Sequence, residues 1–159
     1  MKLTFRKKEV HLFTAPLTVG TKLSFRATDK DFSNYTLDTK HKKVISVFPS
    51  IDTGTCDKQT RKIAELSKEY KKYSFISISL DLPPALSRWC MSNEKNITTL
   101  SDYKTREFGE KYGFLLKDLY LLTRGLIITD EDNVVQYVQY VPEVSDSPDF
   151  VDLEKHLNK

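Results

Sequence analysis

Cysteine is scarce in this sequence. The 159 residues carry two, too few for a disulfide scaffold. Long apolar runs are missing as well. The amino-terminal stretch MKLTFRKKEVHLF holds no apolar segment of about 7–15 residues of the kind a secretory signal needs, and nothing later approaches the roughly 18 apolar residues of a membrane span. A soluble, cytoplasmic protein without a membrane partner is expected, and any disulfide in it is expected to be catalytic rather than structural. Charge of one sign is not concentrated either: 25 basic and 22 acidic residues leave +3, and the signs are interspersed along the chain. Clusters such as KHKK at 40–43 and KEYKK at 68–72 read as solvated faces, so nucleic acid is not an expected partner. No internal repeat, low-complexity tract or Gly/Ser linker breaks the chain. Residues 1–159 are therefore read as one domain, long enough to bury a core without staples.

Several chemistries lack their residues too. His11, His41 and His156 are scattered and share no ligand-like spacing with the cysteines, so a metal site is not expected. No Ser/His/Asp set stands out, and TGTCDK lacks the residue order of a phosphate-binding loop. Tyr137, Tyr140, Phe108 and Tyr112 read as core and interface rather than as a ligand cage.

What is present is a regular α/β pattern behind an irregular front. Leu3–Arg6 and Val10–Phe13 alternate like the two strands of a short hairpin around KKE. A stretch rich in Thr, Asp and Asn follows to about residue 40, with short strands expected at Leu23–Phe25 and Tyr35–Leu37. Val44–Phe48 then predicts a buried strand, residues 56–72 a helix with Ile63, Leu66 and Tyr70 on one face, and 73–81 a second strand. That order implies a right-handed βαβ unit with parallel pairing. A helix follows Pro83-Pro84, with Pro84 in its first turn, and carries Leu86, Trp89 and Cys90. Residues 97–101 predict an edge strand, 104–112 a short helix, and RGLIITD with NVVQYVQY a hairpin around EDN. An amphipathic helix over Asp149–His156 closes the chain. The order hairpin, βαβ, ββα is that of a thioredoxin-like α/β layer, a central mixed β-sheet flanked by helices with an amino-terminal β-hairpin extension; composition alone does not select this fold class over other small α/β sandwiches, and the site decides it.

The most informative stretch is FPSIDTGTC at 48–56, where a strand leaves through Pro49 and Gly54 and delivers Cys56 to a helix N-terminus. Unpaired backbone N–H groups and the helix dipole favour negative charge there, so a thiolate is the species to suspect. A thioredoxin redox motif would place a second cysteine three residues earlier, and here that position is Thr53, so a local dithiol cannot form. Thr53 also reads as an N-cap that accepts the Cys56 N–H. Cys90 reads equally as an ordinary buried thiol, since free cysteine packs as a small hydrophobe. Arg61, Arg88 and Arg124 are all candidates for the cationic partner of the sulfur.

Pro49-x-x-x-Thr53-x-x-Cys56 resembles the active-site pattern of the peroxiredoxins, and FPSIDTGTC resembles that of the bacterial thiol peroxidase branch in particular. Further blocks sit where that branch has similar segments: LTF near the amino terminus, PLTVG at 16–20, SLDLPPALSRWC at 79–90 and TRGLIITDEDNVV at 123–135. The resemblance implies a thiol-dependent peroxidase acting on hydrogen peroxide and organic hydroperoxides, with no metal, haem or flavin. Cys56 would be the peroxidatic cysteine, oxidised to a sulfenic acid; Thr53 would hold thiolate and peroxide; Pro49 would shield the sulfur; and Arg124 would be the active-site arginine. Cys90 would resolve the sulfenic acid as an intramolecular disulfide with Cys56, recycled by thioredoxin, in a homodimer. Because Cys90 falls on the packed face of its helix, local unwinding of the first turn after Cys56 and of residues 84–93 is expected in turnover. Thr55 stands where the branch is usually apolar, and Trp89 where Phe is more common. The alternative to an enzyme is a peroxide-sensing protein that uses the same disulfide to switch a binding surface.

Overall fold

In a computed structural model, residues 1–92 and 97–159 are described. The chain centres on β5 (Lys42–Val47), the strand that ends in the Pro49 loop. Its side chains alternate between two cores, as period-two geometry requires. Val44 joins a cluster with Ile63, Leu66 and Leu153, while Ile45 and Val47 join one with Phe108, Phe114 and Leu115. Helix α1 (Gly54–Glu69) follows β5 and returns the chain to β6 (Tyr73–Ser79), which pairs in parallel with β5 from Lys42↔Tyr73 to Val47↔Ile78. The βαβ unit expected from the sequence is thus present. Helix α2 spans Pro83–Ser92, with Leu86, Trp89 and Cys90 on its buried face. Residue 93, the last of the segment expected to unwind, lies outside the described residues.

The amino-terminal hairpin forms, but from β1 (Leu3–Phe5) and β2 (Lys8–Val10), so its second strand starts earlier than the alternation at Val10–Phe13 suggests. Arg6 and Lys7 make a two-residue turn with φ of 51° and 68°. Non-glycine residues in that region cost about 1–2 kcal/mol each. The Glu143 carboxylate offsets this by accepting the backbone N–H of Arg6 at 3.2 Å and of Lys7 at 2.8 Å. Strand β3 (Arg26–Asp29) sits beyond the expected 23–25, whereas β4 (Asn34–Thr36) falls within one residue of the expected 35–37. Asp29 Oδ1 accepts the N–H groups of Asp31 and Ser33 at 2.9 Å, which fixes the turn and therefore the register. Leu23 and Phe25 instead enter the core from the preceding loop.

The stretch expected as an edge strand is β7 (Thr98–Ser101), and it is not at an edge. It runs parallel to β6 and is covered on its other side by β3, with Thr28 opposite Ser101 and Asp29 opposite Leu100. The irregular front of the chain supplies that cover. Beyond the short helix α3 (Glu107–Lys111) come β8 (Gly125–Thr129) and β9 (Val135–Tyr140), antiparallel to each other, and helix α4 (Phe150–Leu157), capped by the Asp149 side chain. The mixed sheet has the order β4-β3-β7-β6-β5-β8-β9, and β1-β2 form a separate hairpin. Tyr137, Tyr140, Phe108 and Tyr112 pack in or against the two cores, as expected for them. Among the described residues, no helix is long and apolar enough to cross a membrane.

Candidate active site around Cys56

Three elements meet at the end of β5. The loop leaving it is fastened by Asp81, whose carboxylate accepts from Ser50 Oγ at 2.9 Å, from the Ile51 N–H at 2.7 Å and from Ser79 Oγ at 2.6 Å. Pro49 is buried within this loop. Thr53 then caps α1: its backbone is extended, and its Oγ1 accepts the Cys56 N–H at 3.2 Å. This is one of the donors that a helix start leaves unpaired. The same hydroxyl donates to the Ser50 carbonyl at 3.3 Å. Cys56 is fully buried, in the first turn of a 16-residue helix.

The second element is β8. It runs antiparallel to β5 with Val47 opposite Gly125, so the preceding residue, Arg124, is brought to the end of the sheet where α1 begins. A glycine is required at 125, because a Cβ there would lie 2.4 Å from the Gln139 carbonyl oxygen. Arg124 is 2% exposed. Its Nη2 donates to Cys56 Sγ at 3.2 Å, its Nη1 to Gln59 Oε1 at 2.8 Å and its Nε to the Val144 carbonyl at 2.6 Å. Gln59 is oriented in turn, since its amide nitrogen donates to Ser46 Oγ at 2.7 Å and to the Val47 carbonyl at 3.1 Å.

The third element is the loop 142–146. Thr55 Oγ1 donates to the Ser145 carbonyl at 3.2 Å, tying the first turn of α1 to the loop that also accepts from Arg124. The hydroxyl that departs from the usual apolar residue is therefore satisfied by backbone.

A buried guanidinium needs negative charge nearby. Among the described residues no carboxylate contacts Arg124; its two oxygen acceptors are neutral, and the remaining partner is the Cys56 sulfur. Guanidinium and helix N-terminus thus converge on the same atom. Such a sulfur is suited to attack an electrophile, with Arg124 placed to stabilise charge on the departing group.

Of the arginines that the sequence left open, only Arg124 contacts the sulfur. Arg61 Nε is bound to Asp57 Oδ2 at 2.8 Å and Arg88 to Asp52, both on the surface. Cys90 belongs to the same core cluster as Cys56, but its sulfur lies 3.5 Å from Thr99 Oγ1 on β7, and both thiols are free. Asp81, Gln59 and the Val144 carbonyl were missed in the sequence. Gln59 did leave a signal: three residues after Cys56, it is a polar residue on the helix face that carries Thr60 and Ile63 into the core. A cavity of about 290 Å³ at the opposite end of β5, lined by Lys42, Tyr73, Tyr137, His156 and Lys159 among others, includes neither cysteine.

The sequence matches the Redoxin family over residues 15–157. It is 41% identical to a thiol peroxidase of Oceanobacillus iheyensis, covering 99% of this chain and 98% of that protein. It is 43% identical to a thiol peroxidase of Staphylococcus aureus, covering 94% and 93%. The fold superposes on a peroxiredoxin-like protein from Aquifex aeolicus with a TM-score of 0.92 at 29% identity, over 99% of this chain and 95% of that one.

Proposed function

The chain belongs to the redoxin family and is an enzyme of thiol-dependent peroxide reduction, and from that premise we propose that Cys56 is the sulfur that reacts. The contact between Arg124 Nη2 and Cys56 Sγ, made by a buried cation with no carboxylate beside it among the described residues, is the observation that carries this reading. The Cys56 thiolate attacks the terminal oxygen of a hydroperoxide. The O–O bond breaks, the sulfur becomes a sulfenic acid, and the other oxygen leaves as water or an alcohol after taking a proton. Arg124 stabilises the charge that develops on that leaving oxygen. Thr53, whose hydroxyl proton is held by a 3.3 Å contact to Ser50, can turn it toward the peroxide while still capping the helix. Pro49, buried in the loop, keeps bulk water from the sulfur.

Cys90 then resolves the sulfenic acid as a disulfide with Cys56, and a thioredoxin-type dithiol reduces it. The shared core cluster supports this pairing, and the burial of both thiols supports local unwinding of α2 as part of it. Thioredoxin as reductant, organic hydroperoxides beside hydrogen peroxide and a homodimer follow the resemblance to the thiol peroxidase branch, and a single domain over 1–159 and a cytoplasmic setting complete the reading. The test is sustained NADPH consumption with hydroperoxide, thioredoxin and its reductase. Wild-type protein should cycle, and Cys56→Ser should not. A single stoichiometric burst from the wild type would instead identify a peroxide sensor.

A further inference from the structure

Helix α2 is held against the start of α1 by two side-chain bridges that the reaction itself does not need. Trp89 Nε1 donates to Asp57 Oδ1 at 2.7 Å, and Arg88 Nη2 donates to Asp52 Oδ1 at 2.5 Å. Their surroundings differ. The Arg88 and Asp52 side chains are 68% and 61% exposed, and ion pairs so well solvated contribute little. Trp89 is 7% exposed, and its ring packs in the cluster that contains both cysteines. Its acceptor is anchored from the other side by Arg61 Nε at 2.8 Å from Asp57 Oδ2. Burial tends to raise the Asp57 carboxyl, but the hydrogen bonds from Arg61 and Trp89 outweigh it and hold the group below its ordinary value. At neutral pH the acceptor is therefore a carboxylate, and the bond is of the stronger, charge-assisted kind.

The positions of the two residues give the bond its consequence. Asp57 directly follows Cys56, and Trp89 directly precedes Cys90. The hydrogen bond thus joins the chain neighbours of the two sulfurs. Cys90 is seated against Thr99 on β7 and must leave that seat to pair. A disulfide requires Cα atoms within about 7 Å and Cβ atoms directed at each other. Any motion of α2 that lifts Cys90 out also carries the adjacent Trp89, and any unwinding of the first turn of α1 carries Asp57.

We propose that the Trp89–Asp57 hydrogen bond is a latch on resolution: it ties the Cys90 helix to the first turn of the Cys56 helix, must break before the sulfurs meet, and so sets how long the sulfenic acid stays open to a second oxidation. The latch rests on the roles proposed above for Cys56 and Cys90. In resolution the Cys90 sulfur bonds the Cys56 sulfur, the S–O bond breaks, and the hydroxyl leaves as water with the Cys90 proton. The Cys56 sulfur is reduced as the Cys90 sulfur is oxidised, with no outside reagent. In the competing step a second hydroperoxide transfers one oxygen to the sulfenic acid, giving a sulfinic acid and releasing water or an alcohol. Trp89 and Asp57 supply no reacting atom. They are positioning residues, and their signature is a change in the ratio of these two outcomes.

Trp89→Phe keeps an aromatic ring and removes the donor, Asp57→Ala removes the acceptor, and the double variant completes a cycle. Each reduced protein is mixed with hydrogen peroxide, quenched at intervals with a sulfenic-acid trap and a thiol alkylator, and read by mass spectrometry. In Trp89→Phe the sulfenic acid should form at the wild-type rate and the disulfide about tenfold faster, equivalent to ~1.4 kcal/mol. The sulfinic fraction at excess peroxide should fall accordingly. The double variant should resolve no faster than the quicker single variant, because one bond can be lost only once. Unchanged or slower resolution in Trp89→Phe would overturn the latch. So would effects of the two substitutions that simply multiply, or a first oxidation sped up as much as resolution, both of which indicate general loosening. If wild-type protein forms no sulfenic acid at Cys56 or no disulfide with Cys90, the reading of the site fails instead.

Discussion

Arg124 reaches Cys56 Sγ with one guanidinium nitrogen at 3.2 Å while its other two nitrogens are held by Gln59 Oε1 and the Val144 carbonyl. The cation is therefore fixed in place before any substrate arrives, and no reorganisation is needed when charge appears. Arg124→Ala should slow oxidation of Cys56 by about 100-fold. Arg124→Lys keeps the charge but loses the planar fork, and about tenfold of the rate should go with it. Stopped-flow kinetics with hydrogen peroxide read both. Loss below threefold in Arg124→Ala would remove this arginine from the chemistry.

Gln59 separates orientation from charge. Its oxygen faces Arg124 and its amide nitrogen faces Ser46 and Val47. Gln59→Leu removes a partner from each of those buried groups and should cost about 2 kcal/mol of stability by denaturant titration. Gln59→Glu sets a carboxylate against the guanidinium, which then no longer depends on the sulfur for its counter-charge. We expect peroxide oxidation at least about tenfold slower in Gln59→Glu than in the wild type. A rate equal to the wild type would mean that the sulfur is not the group balancing Arg124.

Cys90 is the residue whose role depends most on motion. Cys90→Ser should leave one fast oxidation of Cys56 and then stall with thioredoxin as donor, because the sulfenic acid has no partner in the chain. Undiminished cycling in the coupled assay would remove the resolving assignment and, with it, the latch.

How much of this was legible depended on how local the determinants were. The strand β5 and the N-cap at Thr53 follow from a short apolar run and from capping chemistry within a few residues, and the structure matches them, although α1 spans Gly54–Glu69 where 56–72 is expected. The place of β7 did not follow, because its second neighbour, β3, lies far away in the chain and its own composition is that of an edge. The hairpin register was hidden for a similar reason. KKE has no glycine or asparagine to mark a positive-φ turn, and the group that stabilises Arg6 and Lys7 is Glu143. At the site, Cys56, Thr53 and Pro49 are adjacent in sequence and stand out together. The choice of Arg124 over Arg61 and Arg88 rests, in the sequence, on the resemblance and not on spacing, and the β5–β8 register supplies its physical reason.

Two carboxyls should tilt the pH dependence of stability in opposite directions. Hydrogen bonds from Ser145 and from the Lys7 N–H hold Glu143 down at about 2. Its contribution is present above the ordinary glutamate value and is lost as pH falls toward 2. Asp102 is the reverse case: burial pushes it up to about 7, against the pull of the Gly109 and Phe108 N–H groups that it accepts. The folded state then binds a proton that the unfolded state releases, so this contribution is complete below about 4 and is lost as pH rises through 7. Denaturant midpoints measured from pH 3 to pH 8 should show both slopes. Glu143→Gln should flatten the acid limb, and Asp102→Asn the decline between about 4 and 7. A decline that persists unchanged in Asp102→Asn would mean that the carboxylate is ionised at the start of α3, stabilised by those two N–H groups more than it is penalised by burial.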